Sequence, residues 1–580
     1  GIKINDLLKM EVTKMKKILT LIVAVLLLVT ATAGCGTTAS NNQSDAGASS
    51  AASSATASTP ANTNIFGWAV PEKTMEITYY AGQDNPDTNA ENCEAKAAYL
   101  LKNFNVKLTK IVYDDDMEQR LNLMLSSGGY PDCIAGMSWQ EAQKWVDQGR
   151  ALELTSYIDE YGPNIKSRMG DYLKRYYTDD GKLYTLAGFW GLTTFVSYAP
   201  EVRNDWYTEA GSPDVSTPEA YYAALKKMAA AHPENPSGDK TYALGMWKIS
   251  SSSLGGNSFI NTFGGMYGLK SGWKVNSDNS VNLWINSPEG VKMLEYLNQI
   301  YRDGMLDPDS FTMSIDEWGA KAGNERYAGF VGSHWPANSY SLTAWKNKYG
   351  ANYNENMRYV YVDVKASGVA QSAFSPSNSM GSAVILTNNC KSPENYMKWF
   401  DFENTDLGSK LAGWGIPNEK GSDALQLFDG KWAYAEGVED QLVNNIGDFD
   451  YDAETKAGGE CGMLITAGVE PMTGGGDVWI NLGLEDKWAQ AKDKLLKDSL
   501  FDFTSFLSVT IPTEDPLSDK STEINDIVNN AWAKAITAKS TEACDAVIAE
   551  AVSSANSAGL ADVEKYYSTQ YQKNVSKYGK

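Results

Sequence analysis

Six cysteines, two histidines and 72 acidic residues are the side chains with which this 580-residue chain could attack, ligate or transfer protons. His232 and His334 stand far apart, which speaks against histidine-based zinc sites and against a Ser-His-Asp triad. No HExxH, CxxC, GxSxG or GxxxxGKS/T string occurs, so several hydrolase and nucleotide-binding classes drop out together. In DFDYDAETKAGGE, Asp448, Asp450 and Asp452 alternate like the first ligands of a calcium loop. The sixth position holds no glycine and Glu460 falls one residue late, so the segment reads as a solvated acidic loop and no metal ligand is assigned. No cofactor is expected, and calcium here is the alternative kept. Cys93, Cys133, Cys390, Cys461 and Cys544 are odd in number and scattered, the pattern of small buried hydrophobes rather than of a disulfide framework.

What remains for recognition is aromatic. The chain carries 17 Trp and 32 Tyr against 16 Phe, a bias toward rings that combine a flat apolar face with a polar edge. Two-face chemistry of that kind suits a sugar, whose C–H faces pack on a ring while its hydroxyls need oriented partners, though large cores use such rings too. The formal net charge of -22 argues against nucleic acid, since a phosphate binder needs a Lys/Arg surplus to release counterions.

Cys35 differs from the other cysteines. Met15, Lys16 and Lys17 form a short basic segment, Ile18 to Val29 is nearly all apolar, and the small residues Ala31 to Gly34 lead into the cysteine. The apolar run falls short of the roughly 20 residues that span a bilayer. The order resembles a bacterial lipoprotein signal, in which the cysteine thiol takes a diacylglycerol and becomes the first mature residue; Thr32 stands where Leu is usual. Residues 1–34 are therefore expected to be a signal peptide, with 1–14 extra residues ahead of a natural start at Met15. The Ser/Ala/Thr-rich stretch 35–63 is expected to be a lipidated, flexible tether.

The body then alternates. Met75 to Ala81 reads as a strand, NAENCEAKAAYLLKNF as a helix burying Ala95, Ala98, Tyr99 and Phe104, and VKLTKIVYD as a second strand. A helix opened by Asp116 and Gln119, with Leu121, Leu123 and Met124 as its apolar positions, ends at Gly128 to Pro131. The run CIAGM reads as a third strand buried on both faces. Strand, helix, strand, helix, strand implies a right-handed parallel sheet with ligands beyond its carboxyl rim, which brings Gln83, Asp84 and Trp139 to one edge. Thr217-Pro218-Glu219, Ser287-Pro288-Glu289 and Ser392-Pro393-Glu394 each read as a helix start.

The string MEQRLNLMLSSGGYPDCIAGMSWQEAQKWVDQGRALELTSYIDEYGPNIKSRM resembles the first lobe of extracellular solute-binding proteins of family one, the large lipoprotein type. DGKLYTLAG, PEVRNDWYTEAGSPDVSTPEAYYAALKKM, LNQIYRDGMLDPDSF, AGFVGSHW, SAVILTNNCKSPENYMKWFDF and GWGIPNE continue it in order to about residue 420. The resemblance implies an α/β, two-lobed periplasmic-binding-protein-like fold of type II, each lobe a mostly parallel sheet flanked by helices, with the ligand cleft between lobes. It places lobe one at 64–195 and 360–425, and lobe two at 196–359 and 426–580.

The same resemblance implies a monomer on the outer face of the cell membrane that hands an oligosaccharide to ABC-transporter permease subunits and makes or breaks no bond. Candidate ligand-binding residues are Asp84, Trp139, Trp190, Trp247, Trp335 and Trp414. Trp335 follows the strand-like AGFVGS where relatives carry a stacking aromatic, while Trp190 and Trp247 lie within two residues of a glycine that would let backbone approach a ligand. Trp206 is assigned to packing. Some relatives hold calcium after the PEAYYAALKKM helix, but HPENPSGDKT places His232 and prolines where carboxylates would stand, so that metal is not carried over. A binding protein for peptide or another non-sugar solute, and a lipid-anchored glycoside hydrolase built on two carboxylates, are the competing readings.

Overall fold

The structure is a computed structural model. It describes residues 62–81, 94–111, 117–187, 198–248, 254, 257–377, 382–405, 407–408, 411, 416, 425–428, 431–434, 495–506, 509, 511–512 and 515–578. The signal segment, Cys35, the tether to residue 61, Asp84, Trp190, Trp414 and the Asp448 to Glu460 loop lie outside the described residues.

The chain runs β1 (Met75–Ala81), α1 (Glu94–Phe104), β2 (Val106–Ile111), α2 (Met117–Ser127), β3 (Cys133–Met137) and α3 (Trp139–Asp147), the alternation its hydrophobic pattern predicts. Helices α4 (Thr155–Tyr161) and α5 (Pro163–Met169) lead to β4 (Thr185–Ala187). A second stretch holds β5 (Tyr198–Arg203), α6 (Asn204–Glu209), α7 (Pro218–Ala231), α8 (Ser258–Met266), β6 (Trp273–Val275) and β7 (Val281–Leu283). It continues through α9 (Pro288–Arg302), α10 (Ile315–Gly323), β8 (Gly329–Ser333), α11 (His334–Tyr349) and β9 (Tyr359–Tyr361). Then come β10 (Ser375–Ser377), β11 (Ala383–Leu386), α12 (Pro393–Glu403), β12 (Leu425–Phe428), β13 (Lys431–Tyr434) and β14 (Leu500–Asp502). The chain closes on α13 (Leu517–Ile536), α14 (Thr541–Ala558) and α15 (Leu560–Tyr578).

The first sheet has the order β2-β1-β3-β11-β4. Side chains alternate across it: Ile77, Tyr79, Cys133, Val384 and Leu386 join one buried layer, Tyr80, Ile134, Ala383 and Ile385 the other. Tyr99, Leu100 and Phe104 of α1 and Tyr396 and Phe400 of α12 cover the first layer; Leu121 and Met124 of α2 and Trp145 of α3 cover the second. Two predicted inward positions point out. Ala98 is exposed and Leu123 is 55% exposed, because the sheet meets a stripe narrower than the apolar content of each helix. Of the three helix starts, Thr217 and Ser287 cap through their side chains, accepting from Ala220 N and Gly290 N, whereas Ser392 makes no side-chain cap bond. The Asp116 cap lies outside the described residues.

The second sheet is β8-β5-β9, and β5 runs antiparallel to both neighbours. In the first sheet β11 is antiparallel to both β3 and β4, while β1 is parallel to β2 and β3. Each sheet thus keeps one common direction save for a single reversed strand. That strand is the one the chain enters on arriving from the other sheet. Its register shows where the crossing occurs: β11 starts with Ala383 opposite Met137 and Ala187, the carboxyl ends of β3 and β4, and β5 starts with Tyr198 opposite Ser333, the carboxyl end of β8.

The buried clusters divide the same way. One gathers Ala199 to Val364, Phe374 and the C-terminal helices; the others gather Phe66 to Ala187 and Ala383 to Ile416. Within the segment 360–425, residues on the two sides of β10 join different buried clusters. Val362, Val364 and Phe374 pack in the second core, and the return to the first sheet comes at β11. Between them β10 pairs in parallel with β14, Ser375 opposite Leu500.

Candidate functional site

Trp139 stands directly beyond the carboxyl end of β3. Gly136, at φ +77°, takes a left-handed turn inside that strand, where the pairing with β11 shifts register between Ala383 and Ile385. Ser138 then caps α3 in a closed capping box: its Oγ accepts from Glu141 N at 3.2 Å, and Glu141 Oε2 accepts from Ser138 N at 3.0 Å. The cap sets the first turn, from which the half-buried Trp139 projects, and its ring meets Tyr176 edge-on at 5.1 Å and 63°. Tyr176 is a neighbour of this candidate that the sequence pattern does not single out. Its hydroxyl is buried and has no hydrogen-bond partner among the described residues, and burial raises it well above the ordinary phenol range.

On the second sheet, β8 ends at Ser333, and His334 and Trp335 open α11, as Trp139 opens α3. Both helices start at the rim where a crossing strand enters. The side chain of Trp335 lies outside the described residues.

Trp247 belongs to the second core. Its ring lies against Phe259 (4.7 Å, 73°), Trp318 (5.1 Å, 58°) and Phe330 of β8 (5.7 Å, 17°), while the side chain stays partly exposed. The nest is tied to the backbone: Trp318 Nε1 donates to Gly245 O at 3.1 Å, and Met246 N donates to Ser310 Oγ at 3.2 Å. Gly245 was expected to admit a ligand. A Cβ there would come within 2.4 Å of the Tyr327 ring, so the glycine makes room for a core tyrosine instead. Trp206 packs as expected, buried in α6 with the His232 ring stacked on it at 4.3 Å.

The loop after α7 is held by its own side chains. Asn235 Oδ1 accepts from Ser237 N and Asp239 N, and Asn235 Nδ2 donates to Asn324 O at 2.7 Å. Among the described residues there is no group of three or more His, Cys, Asp or Glu placed to hold a metal ion.

The arrangement can hold an amphipathic ring-shaped ligand by stacking. Burial raises the thiols of Cys133, Cys390 and Cys544, which keeps them protonated. No helix among the described residues is long and apolar enough to cross a membrane.

The family model of the bacterial extracellular solute-binding proteins matches residues 91–408. The chain belongs to this family. As a solute-binding protein it is 22% identical over 335 residues to the fructooligosaccharide ABC transporter substrate-binding protein FusA of Streptococcus pneumoniae, an alignment covering 54% of this chain and 58% of that relative. FusA solved in complex with kestose superposes with a TM-score of 0.64 at 19% identity, covering 87% of this chain and 100% of that one. An extracellular solute-binding protein of Bifidobacterium longum subsp. infantis gives 0.63 at 15%, over 88% and 99%. The N-glycan transport protein NgtS of Streptococcus pneumoniae, solved with Man1GlcNAc, gives 0.54 at 16%, over 86% and 99%. These likenesses show the fold, that of the type II periplasmic solute-binding proteins.

Proposed function

We propose that this solute-binding protein captures an oligosaccharide outside the cell and presents it to the permease of an ABC importer, held at the membrane by a lipid on Cys35. Its two cores are the two lobes, and the ligand lies between the rims at which the chain crosses. The observation that carries the reading is that repeated geometry: Trp139 and Trp335 each open a helix at the carboxyl end of a strand beside the entering strand, one on each sheet. A fructooligosaccharide-binding relative and an N-glycan-binding neighbour support a sugar over a peptide. Trp247 offers a third ring, and Asp84, Trp190 and Trp414 are assigned to the same cleft from the sequence. No bond is made or broken; ligand shifts the balance between open and closed forms by its differential affinity for them.

A thermal-shift panel of fructooligosaccharides, N-glycan fragments and peptides tests the reading. A ligand at a hundred times its Kd stabilises by about 2.7 kcal/mol. Stabilisation by sugars alone is expected, whereas stabilisation by peptides alone overturns the sugar assignment. Release of shorter sugars from an incubated oligosaccharide overturns the binding-only reading. Cys35→Ala is expected to free the protein from the membrane with ligand affinity intact, and membrane retention of that variant overturns the anchor.

A further inference from the structure

The turn Thr178 to Lys182 and the last turns of α15 belong to different cores, yet they are joined by charge. Asp179 Oδ2 lies 2.6 Å from Lys573 Nζ, and its Oδ1 lies 3.1 Å from Lys577 Nζ. Both sides of the contact are anchored. The turn is closed by Thr178 N donating to Lys182 O and by the bridge between Tyr177 and Leu183, and the flanking Tyr176 and Leu183 are buried in the first core. Helix α15 is fixed to the second core by Glu564, which accepts from Leu283 N, Asn282 Nδ2 and Asn286 Nδ2, and by Ser568 Oγ, which accepts from Val281 N.

The contact also sits beside the crossing. Asn574 donates to Ser505 O, and Tyr571 packs on Phe506 at 4.8 Å, so the segment carrying both lysines rests on the residues that follow β14, the strand paired with crossing strand β10. On the two-lobe reading, a charge pair that joins the lobes beside the crossing changes its separation when they rotate, unless it lies on the axis itself.

We propose that Asp179 with Lys573 and Lys577 forms an electrostatic brace at the hinge, which sets the resting angle between the lobes and thereby tunes ligand affinity. The inference rests on the two-lobe reading above. Two hydrogen-bonded lysines hold the Asp179 carboxyl below its ordinary range, in keeping with an acid that stays charged in the pair. The partners are more than a third exposed, so the effect is modest: a shift of about two- to five-fold in the ratio of resting forms, the range of solvent-exposed ion pairs. Lobe closure needs no more than this to change affinity by a like factor.

The test is a pulsed electron-spin distance measurement on the full, ligand-free chain, with spin labels on unnatural residues at exposed Leu123 in α2 and Glu550 in α14. Raising salt to about 1 M, where the screening length is about 3 Å, is expected to shift the wild-type distance distribution. Asp179→Asn is expected to show that shift at low salt with no further salt response, and the charge swap D179K/K573D/K577D to restore the wild-type distribution. Asp180→Asn is the control, since Asp180 pairs with Lys182 inside its own turn at 2.7 Å. A distribution unmoved in Asp179→Asn, an equal shift in Asp180→Asn, or a swap that fails to restore overturns the brace. Because no ligand is present, these outcomes are independent of which solute the protein takes.

Discussion

Trp139 and Trp247 are both half-buried, but they are held in opposite ways. Trp139 rides on the first turn of a helix, aimed by a surface capping box and braced edge-on by Tyr176. Trp247 is set into the second core among Phe259, Trp318 and Phe330, which fix the plane of its indole from several sides. On the proposed assignment of both rings to the cleft, the difference makes one wall pre-formed and the other adjustable. A ring fixed by core packing loses little freedom when a ligand stacks on it, whereas a ring aimed by two hydrogen bonds can follow a ligand that varies in shape.

The strongest way to break this contrast is to remove the ring beneath Trp247. Trp318 is fully buried and bonded to Gly245 O, so Trp318→Ala is expected to lose about 3–5 kcal/mol in urea unfolding of the second core. It should also weaken ligand binding, because Trp247 would lose its plane. Unchanged affinity in that variant would show that the nest is packing alone.

A comparable loss is expected from Arg203→Ala. Arg203, 1% exposed, bonds Asp205 through Nε and Nη2 and Glu325 at 2.8 Å, and lies over the rings of Trp206 and Trp345 at 4.1 and 4.7 Å. Removing it leaves Glu325 buried with weaker compensation, at a cost of about 3–5 kcal/mol. The same acid gives a pH signature. Burial alone would raise the Glu325 carboxyl, but hydrogen bonds from Lys348, Tyr349 and Arg203 outweigh it and hold the group below its ordinary range. A depressed acid stabilises the fold fully above its unfolded value, and that stability is lost as pH falls through the folded one. Glu325→Gln should therefore show a shallower loss of stability than wild type as pH falls from about 5 down through the depressed folded value. An equal slope would mean that the pair adds nothing to acid sensitivity.

The contrast also marks what a linear reading reaches. Strands β1 and β3, the α/β alternation and the packing of Trp206 were legible because each depends on local periodicity or on residues near in sequence. The reversed strand in each sheet was not, since its direction follows from where the chain crosses between cores. Nor was the buried Lys96, 1% exposed in α1, a residue type that pattern reading puts in solvent. The glycine beside Trp247 reads in the sequence as room for a ligand because the neighbour that fills that room, Tyr327, is 82 residues from Gly245 in the chain. Trp139 could be placed at a strand end from spacing alone, whereas its brace Tyr176 comes from a segment whose fold the pattern left open.

Binding tests the proposed assignment of the two rings directly. Trp247→Ala is expected to weaken every sugar bound by about tenfold or more, the loss of one stacked ring being worth roughly 0.5–1.5 kcal/mol beyond its buried area. Trp139→Ala should instead weaken long and short oligosaccharides unequally, since an adjustable wall contributes according to ligand shape. Calorimetric titration across chain lengths checks both, and a uniform loss in the Trp139 variant would erase the distinction between walls.

The smallest effect belongs to the cap. Ser138→Ala removes the acceptor for Glu141 N and opens the box, and an exposed helix cap is worth about 1 kcal/mol. In the unfolding midpoint that is a minor change. In binding it is a sharper probe, because the cap aims Trp139 without touching Tyr176 or the core. If the first wall is aimed by the cap, Ser138→Ala should reproduce the length-dependent part of the Trp139→Ala defect at reduced size, and Ser138→Asp, which keeps a capping oxygen, should recover it. A Ser138→Ala protein that binds every chain length as wild type does would place the aim of Trp139 in its contact with Tyr176, and the adjustable wall would then be as fixed as the one opposite.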